Sequence, residues 1–200
     1  MITVENQLFS LHTRHTSYLF RVMETGHLEH LYYGRKIHPA IDGLMEQHAF
    51  APGNTNIYDS EHLQFSLEDA CLEMSSFGKG DIREPFVELT LSDGSETSDF
   101  LFEKFEQGTG KEEFETLPGS YDESGEVEWL GVTLRDKNSG VILELHYYVY
   151  EDCDVITRSA KLINESGDVV KLNRLMSLQL DLEPSDYVFT TFHGACRENM

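Results

Sequence analysis

The chain has 200 residues, of which 40% are hydrophobic and 11% are aromatic. This composition supports a buried core and excludes a disordered protein. The chain carries 15 basic and 36 acidic side chains, for a formal net charge of −21. A field of this sign repels phosphate backbones and anionic lipid surfaces, which argues against nucleic acid and membranes as partners. The length suits one large domain, and we expect a single domain over residues 1–200.

The three cysteines, Cys71, Cys153 and Cys196, are widely spaced and form no Cys-x-x-Cys pair. They therefore predict neither a disulfide framework nor a zinc site. The N-terminal residues lack the apolar core of a signal peptide, and no run approaches the roughly 20 apolar residues of a membrane span. These features favour a reducing, cytoplasmic location.

The first third of the chain predicts two short hairpins. Residues 2–11 indicate two strands around the turn Glu5-Asn6-Gln7, because asparagine and polar neighbours initiate turns. Residues 17–24 and 27–33 indicate a second pair around Thr25-Gly26, where glycine supplies the positive φ of a tight turn.

Residues 34–63 contain prolines and glycines that interrupt every candidate strand. We expect a long loop that packs against another surface, with a partner chain as one candidate. The one short helical candidate follows at 67–74, with Ser66 as a possible N-cap and acidic residues in its first turn.

The rest of the chain alternates apolar and polar residues with a period of two. Three further hairpins are predicted around turn residues: 85–91 with 98–105, 126–134 with 141–150, and 155–163 with 169–180. Such a pattern is typical of antiparallel sheets with one covered face. We therefore predict an all-β fold of two stacked antiparallel sheets, with a long loop in its N-terminal half and at most one short helix.

Two histidine pairs raise the possibility of a metal site, His12 with His15 and His27 with His30. Residues three apart on a strand point to opposite faces, and no cysteine accompanies either pair, so we predict no metal site. Phosphate-loop and zinc-protease motifs are absent from the sequence, and no cofactor is predicted.

No complete catalytic set emerges from the sequence. The carboxylate pairs Glu112/Glu113 and Asp122/Glu123 lie in glycine-rich acidic loops, which indicates solvated loops rather than a glycosidase pair. The acidic neighbours of Cys153 disfavour its thiolate, so it is not a predicted nucleophile.

Asp81 and Arg83 follow a Gly-x-Gly turn and precede a proline that constrains the start of the next strand. On a strand the two side chains would share a face. Two interpretations remain open at this point. Either they form a local ion pair that fixes the turn, or they contribute to binding.

Several segments, taken in chain order, resemble the bacterial α-galactosidases of glycoside hydrolase family 36. These are Ser-Leu-Glu-Asp at 66–69, Gly-Asp-Ile-Arg-Glu-Pro at 80–85, and the segments 30–34, 155–160, 172–177 and 186–195. The chain departs from the family pattern where Ile82 replaces phenylalanine, Met74-Ser75 replaces Tyr-Pro, and Cys196 stands where the family has tryptophan.

The resemblance implies the N-terminal β-supersandwich of a three-part enzyme. In that enzyme a central (β/α)-barrel carries two catalytic aspartates and a second β-sandwich follows. The parent would hydrolyse terminal α-galactosides such as melibiose and raffinose-type oligosaccharides with retention of configuration. This chain contains no barrel, so it holds no catalytic residue, and we expect it to be inactive alone.

The resemblance also implies a homotetramer in which loops of this domain wall the active-site pocket of a neighbouring subunit. The long loop would take that role, with Gln47 where the family tends to have an acidic residue. The expected substrate-binding residues near the pocket mouth are Gln47, His48, Asn54, Tyr58, Asp81 and Arg83.

Two other functions remain open. The chain could be an independent carbohydrate-binding module that stacks sugars on Trp129 or on Tyr147, Tyr148 and Tyr150. Tyr147 should point away from the other two tyrosines, and a tryptophan in an alternating strand favours packing in the core or on the sheet. The chain could alternatively be an oligomerisation domain.

Overall fold

The protein is represented by a computed structural model that describes residues 1–38, 44, 56–113, 119–182, 186 and 188–191. Within these ranges the strands are β1 (Ile2–Glu5), β2 (Leu8–His12), β3 (Thr16–Val22), β4 (Leu28–Arg35), β5 (Val87–Thr90), β6 (Phe100–Thr109), β7 (Glu128–Asp136), β8 (Val141–Tyr150), β9 (Val155–Asn164) and β10 (Lys171–Leu175). Short 3₁₀ turns occupy Leu67–Asp69 and Glu151–Cys153.

The strands form three antiparallel sheets. One contains β1 to β4 in chain order, the second contains β6 to β9 in chain order, and the third pairs β5 with β10. The predicted all-β antiparallel fold is confirmed. β1 pairs with β2, β3 with β4, and β7 with β8, as the hairpin signals indicate.

The two four-stranded sheets stack through aromatic side chains. Phe20 of β3 lies parallel to Phe9 of β2 at 4.7 Å and parallel to Tyr147 of β8 at 5.1 Å between ring centroids. Phe9 also meets Phe102 of β6 at 6.2 Å. Phe9, Phe20 and Tyr147 belong to one buried cluster with leucines and valines from all three sheets, and the partly buried Phe102 packs against it. Each fully buried phenylalanine contributes on the order of 2–3 kcal/mol.

Two predicted hairpins are wrong. β5 pairs with β10 rather than with β6, and β9 pairs with β8 rather than with β10. The Asp-Gly turn does form, since Gly94 has a φ of 84° and its N–H donates to the carbonyl of Leu91. It reverses the chain locally, but β6 then pairs with β7 along its whole length. A turn fixes the direction of the chain, whereas the partner strand is chosen by burial of the apolar face.

The predicted helix at 67–74 is reduced to the 3₁₀ turn Leu67–Asp69, and Ser66 makes no capping hydrogen bond. The chain beyond the turn is extended, because Leu72 bridges to Glu29 on β4 and so joins the sheet. The predicted start of the loop at Gly34 is two residues early, since β4 continues to Arg35.

Candidate functional site

Tyr58 lies at the end of the predicted long loop and is held by the residue before β6. Its hydroxyl donates to Oδ2 of Asp99 at 2.9 Å, and its N–H donates to the carbonyl of Phe65 at 2.8 Å. The ring meets His27 edge-on at 4.8 Å, and the ammonium of Lys79 lies 4.8 Å from its centroid. Burial and then the Asp99 charge raise the pKa of Tyr58, so its hydroxyl stays a neutral donor.

Asp99 is the centre of a first charged cluster, which also contains Tyr58, His27 and Lys79. Nε2 of His27 lies 3.1 Å from one carboxylate oxygen, and the ammonium of Lys79 lies 3.7 Å from the other. Burial alone would raise the pKa of Asp99, but the hydrogen bonds and charges of His27, Tyr58 and Lys79 lower it. Asp99 is therefore ionised in the folded protein at neutral pH.

Arg83 joins three parts of the chain through its guanidinium. Nε donates to Oδ1 of Asp81 at 2.8 Å, and Nη1 donates to the carbonyl of Ala70 at 2.7 Å and to Asp181 at 2.5 Å. Nη2 donates to the carbonyl of Leu67 at 2.7 Å. Burial alone would lower the pKa of Arg83, but the hydrogen bond to Asp81 and both carboxylates raise it. The contacts match the local ion pair that the sequence left open, and they extend it to Asp181.

Tyr58 and Arg83 meet at the same 3₁₀ turn. The Tyr58 ring packs with Leu67, Ala70 and Leu72, and Arg83 bonds to carbonyl oxygens at both ends of that turn. Three of the expected site residues, Tyr58, Asp81 and Arg83, are therefore part of one loop assembly. The other three, Gln47, His48 and Asn54, lie outside the described residues, and so does Cys196.

A second charged cluster lies in the core, where the sequence did not predict one. Oε1 of Glu73 accepts hydrogen bonds from the hydroxyls of Tyr18 at 2.6 Å and Tyr147 at 2.8 Å, and it lies 2.8 Å from Nη1 of Arg158. Nδ1 of His30 lies 3.3 Å from Oε2. The side chains of Glu73 and Arg158 are 0% and 6% exposed. The cluster connects β3 and β4 with β8 and β9.

The charge on Glu73 is set by its neighbours. Burial alone would raise the pKa of its carboxyl, but the guanidinium of Arg158 and then His30 lower it. The sequence contained a signal for the pairing of Glu73 with Arg158. Arg158 is the one charged residue among Ile156, Ala160 and Leu162 on the inward face of β9, and a charge on an apolar face requires a buried partner.

The tyrosine side chains of β8 lie on opposite faces of the sheet, as predicted. Tyr147 is 1% exposed in the core, and Tyr148 lies on the outer face of the sheet. Tyr150 donates its hydroxyl to Oγ of Ser120 at 2.6 Å. Trp129 is half-buried and packs on the outer face of the sheet, beside Gly108 and Gly131.

Across the part of the chain that the structure describes, no three His, Cys, Asp or Glu side chains are grouped to hold a metal ion. Within the same part, no helix has the length and apolar character to cross a membrane. The strands and the two charged clusters define an antiparallel β-sandwich domain.

The chain belongs to the family described as the Glycosyl hydrolase family 36 N-terminal domain, whose profile matches residues 26–199. It is 30% identical over 200 residues to Alpha-galactosidase AgaA of Geobacillus stearothermophilus. It is 31% identical over 192 residues to Alpha-galactosidase Mel36A of Lactobacillus acidophilus. Each alignment covers 96% of this chain and 26% of the relative.

Solved structures agree with the sequence comparison. A Geobacillus stearothermophilus AgaA variant in complex with raffinose matches with a TM-score of 0.84 at 30% identity, over 90% of this chain and 25% of that one. The α-galactosidase from Lactobacillus brevis matches with a TM-score of 0.81 at 35% identity, over 88% of this chain and 24% of that one. The chain thus spans about a quarter of the length of these relatives.

Proposed function

We propose that this chain is the non-catalytic N-terminal domain of a retaining α-galactosidase that acts on terminal α-galactosides such as melibiose and raffinose-type oligosaccharides. The observation that carries the proposal is the family match over 26–199, together with α-galactosidase relatives whose length is about four times the matched part. The additional length of these relatives leaves room for a barrel that would supply both catalytic carboxylates.

The domain would support assembly of a homotetramer and shape the pocket of a neighbouring subunit. Gln47, His48 and Asn54 would reach the pocket mouth from the long loop. Tyr58, Asp81 and Arg83 would act at the base of that loop. The supporting observation is that Tyr58 and Arg83 both contact the Leu67–Asp69 turn, which fixes the point where the chain leaves the loop.

The enzyme would work in the cytoplasm. Among the described residues Cys71 and Cys153 form no disulfide with each other, which suits a reducing compartment. No cofactor or metal is needed for a two-carboxylate mechanism.

The direct test of the non-catalytic role uses the 200-residue chain alone. Incubation with 4-nitrophenyl α-galactoside and with raffinose should release neither nitrophenol nor galactose. Turnover that follows the chain through purification would overturn the proposal, because the catalytic groups would then have to lie within these residues.

The pocket role is tested in the enzyme that carries this domain. Alanine at Gln47, His48 or Asn54 should raise KM for raffinose and stachyose and leave kcat for a small aryl galactoside unchanged, since only the longer sugars reach the pocket mouth. Glu123→Ala, an exposed loop change, is the matched control. Unchanged KM values for both oligosaccharides would contradict the role.

A further inference from the structure

The chain has one tryptophan, and it lies flat on the outer face of the sheet formed by β6 to β9. A Cβ placed on Gly108 of β6 would lie 2.9 Å from Nε1 of Trp129, and one on Gly131 would lie 3.3 Å from Cζ3. A Cβ at Gly108 would displace the indole and one at Gly131 would crowd it, so the two glycines give the ring a bed on which to rest. Because one face of the indole rests on this bed, its other face is turned away from the sheet.

A cleft of about 300 Å³ opens beside the indole, on the same outer face. It is lined by Gly110, Lys111, Glu112, Trp129, His146 and Tyr148. The ammonium of Lys111 lies 5.1 Å from the ring centroid of Tyr148 and donates to the carbonyl of Glu112 at 3.1 Å. Glu112 itself is exposed. The cleft thus combines an aromatic floor with a basic and an acidic side chain at its rim.

We propose that this cleft binds one pyranose ring of an α-galactoside oligosaccharide. A pyranose has an apolar face of C–H groups and a rim of hydroxyls, and the axial hydroxyl of galactose leaves adjacent C–H groups together on one face. That face matches the flat indole. Lys111 offers only donors and Glu112 only acceptors, so the pair can hold two neighbouring hydroxyls. The volume lies at the lower end of the range for small-ligand sites.

Opposite charges at the rim also select against charged ligands. One ammonium and one carboxylate leave the cleft near neutrality, whereas the net charge of −21 disfavours phosphorylated compounds. A neutral polyhydroxy compound with one apolar face is the ligand class that remains.

The cleft is separate from the proposed pocket-forming residues. Asp99, which holds Tyr58, comes immediately before β6, whereas Gly108 lies near the far end of that strand. Nine residues of extended strand span about 30 Å. The cleft would therefore hold a second part of a long oligosaccharide, or a second molecule, away from the pocket. The choice of galactosides as probes rests on the proposed function.

The test uses the fluorescence of Trp129 in the 200-residue chain, which reports on the cleft because no other tryptophan contributes. Titration with raffinose and with methyl α-galactoside should give a saturable change in emission, with a Kd on the order of 1 mM. Mannitol at the same concentrations controls for solvent effects and should give no saturable change. The readout is binding, so it is independent of whether any enzyme form hydrolyses the sugar.

Glu112 and Glu113 provide a matched pair of variants, since both are exposed and only the first lines the cleft. Glu112→Gln should raise the Kd for raffinose about tenfold through loss of a charged acceptor. Glu113→Gln should leave it within about twofold. Either an absent sugar response, or an equal response to mannitol, or equal Kd values in the two variants would overturn the proposal.

Discussion

Glu73 connects the two stacked sheets through its buried carboxylate. It neutralises a buried guanidinium and accepts two tyrosine hydroxyls from different sheets. Glu73→Gln keeps an acceptor for the hydroxyls but leaves Arg158 buried without a counter-charge. We expect a loss of about 3–5 kcal/mol in the free energy of unfolding. Urea unfolding followed by Trp129 fluorescence measures it.

The control for that prediction removes both charges. Replacement of Glu73 and Arg158 together by methionine should cost less than either single methionine variant, because neither charge is then left unpaired. If the double variant lost the sum of the two single losses, the pair would contribute no coupling. The account of the core cluster would then be wrong.

Asp99 should make the fold sensitive to acid. Its folded-state pKa lies below the ordinary value of 3.8, so its contribution to stability is present above that value and is lost as pH falls through the folded-state pKa. Asp99→Asn should therefore flatten the decline of unfolding free energy from about pH 5 downward. Urea titrations at several pH values measure this.

The exposed Glu123→Gln variant is the comparison for the acid series. It should reproduce the pH dependence of the parent chain. An Asp99→Asn variant with the same decline as the parent would show that Asp99 does not contribute to acid sensitivity.

At the level of elements, the turn of the first hairpin holds two non-glycine residues in an unfavourable backbone conformation, which a substitution can relieve. Asn6 and Gln7 have φ values of 50° and 63°, as a two-residue hairpin loop requires, and glycine is favoured where φ is positive. Asparagine tolerates this region and glutamine does so less well. Gln7→Gly should therefore stabilise the chain by about 0.5–1 kcal/mol, measured as a higher Tm. Asn6→Gly should give a smaller gain, and a larger gain there would contradict the argument.

Local signals predicted the turns and strands but not all of their partners. The turn at Asn6-Gln7 and the strand pair β7 and β8 followed from residues close in sequence. The pairing of β5 with β10 joins residues about 80 positions apart, and no turn residue encodes it. The alternation of β9 correctly predicts that Arg158 shares a face with Ile156 and Ala160, but it does not identify Glu73 as the partner. That contact depends on how the sheets stack.

The contacts of the candidate site were likewise predictable only where the residues are close in sequence. The sequence suggested an Asp81–Arg83 ion pair, because the two residues are neighbours. It did not suggest that Arg83 also binds Asp181 and the carbonyls of the 3₁₀ turn. Likewise the alternation of β7 indicated that Trp129 packs in the core or on the sheet, but it did not indicate that Gly108 of β6 lies beside the indole. Contacts between strands that no short turn connects were beyond what residue spacing could indicate.

At the scale of the whole molecule, the family match and the length of the relatives give one account. This chain would provide the scaffold and pocket edge of an α-galactosidase whose chemistry takes place in another domain. The clusters around Asp99 and Glu73 suit the scaffold role, because their acids and bases are held in hydrogen bonds within the domain.

A domain exchange tests the central claim most directly. The chain would replace the corresponding part of Mel36A from Lactobacillus acidophilus, to which it is 31% identical. We predict that the chimera assembles to the same mass as Mel36A by light scattering and hydrolyses raffinose, whereas the 200-residue chain alone does not. A chimera that folds and assembles correctly but fails to hydrolyse raffinose, or hydrolysis by the chain alone, would contradict the account.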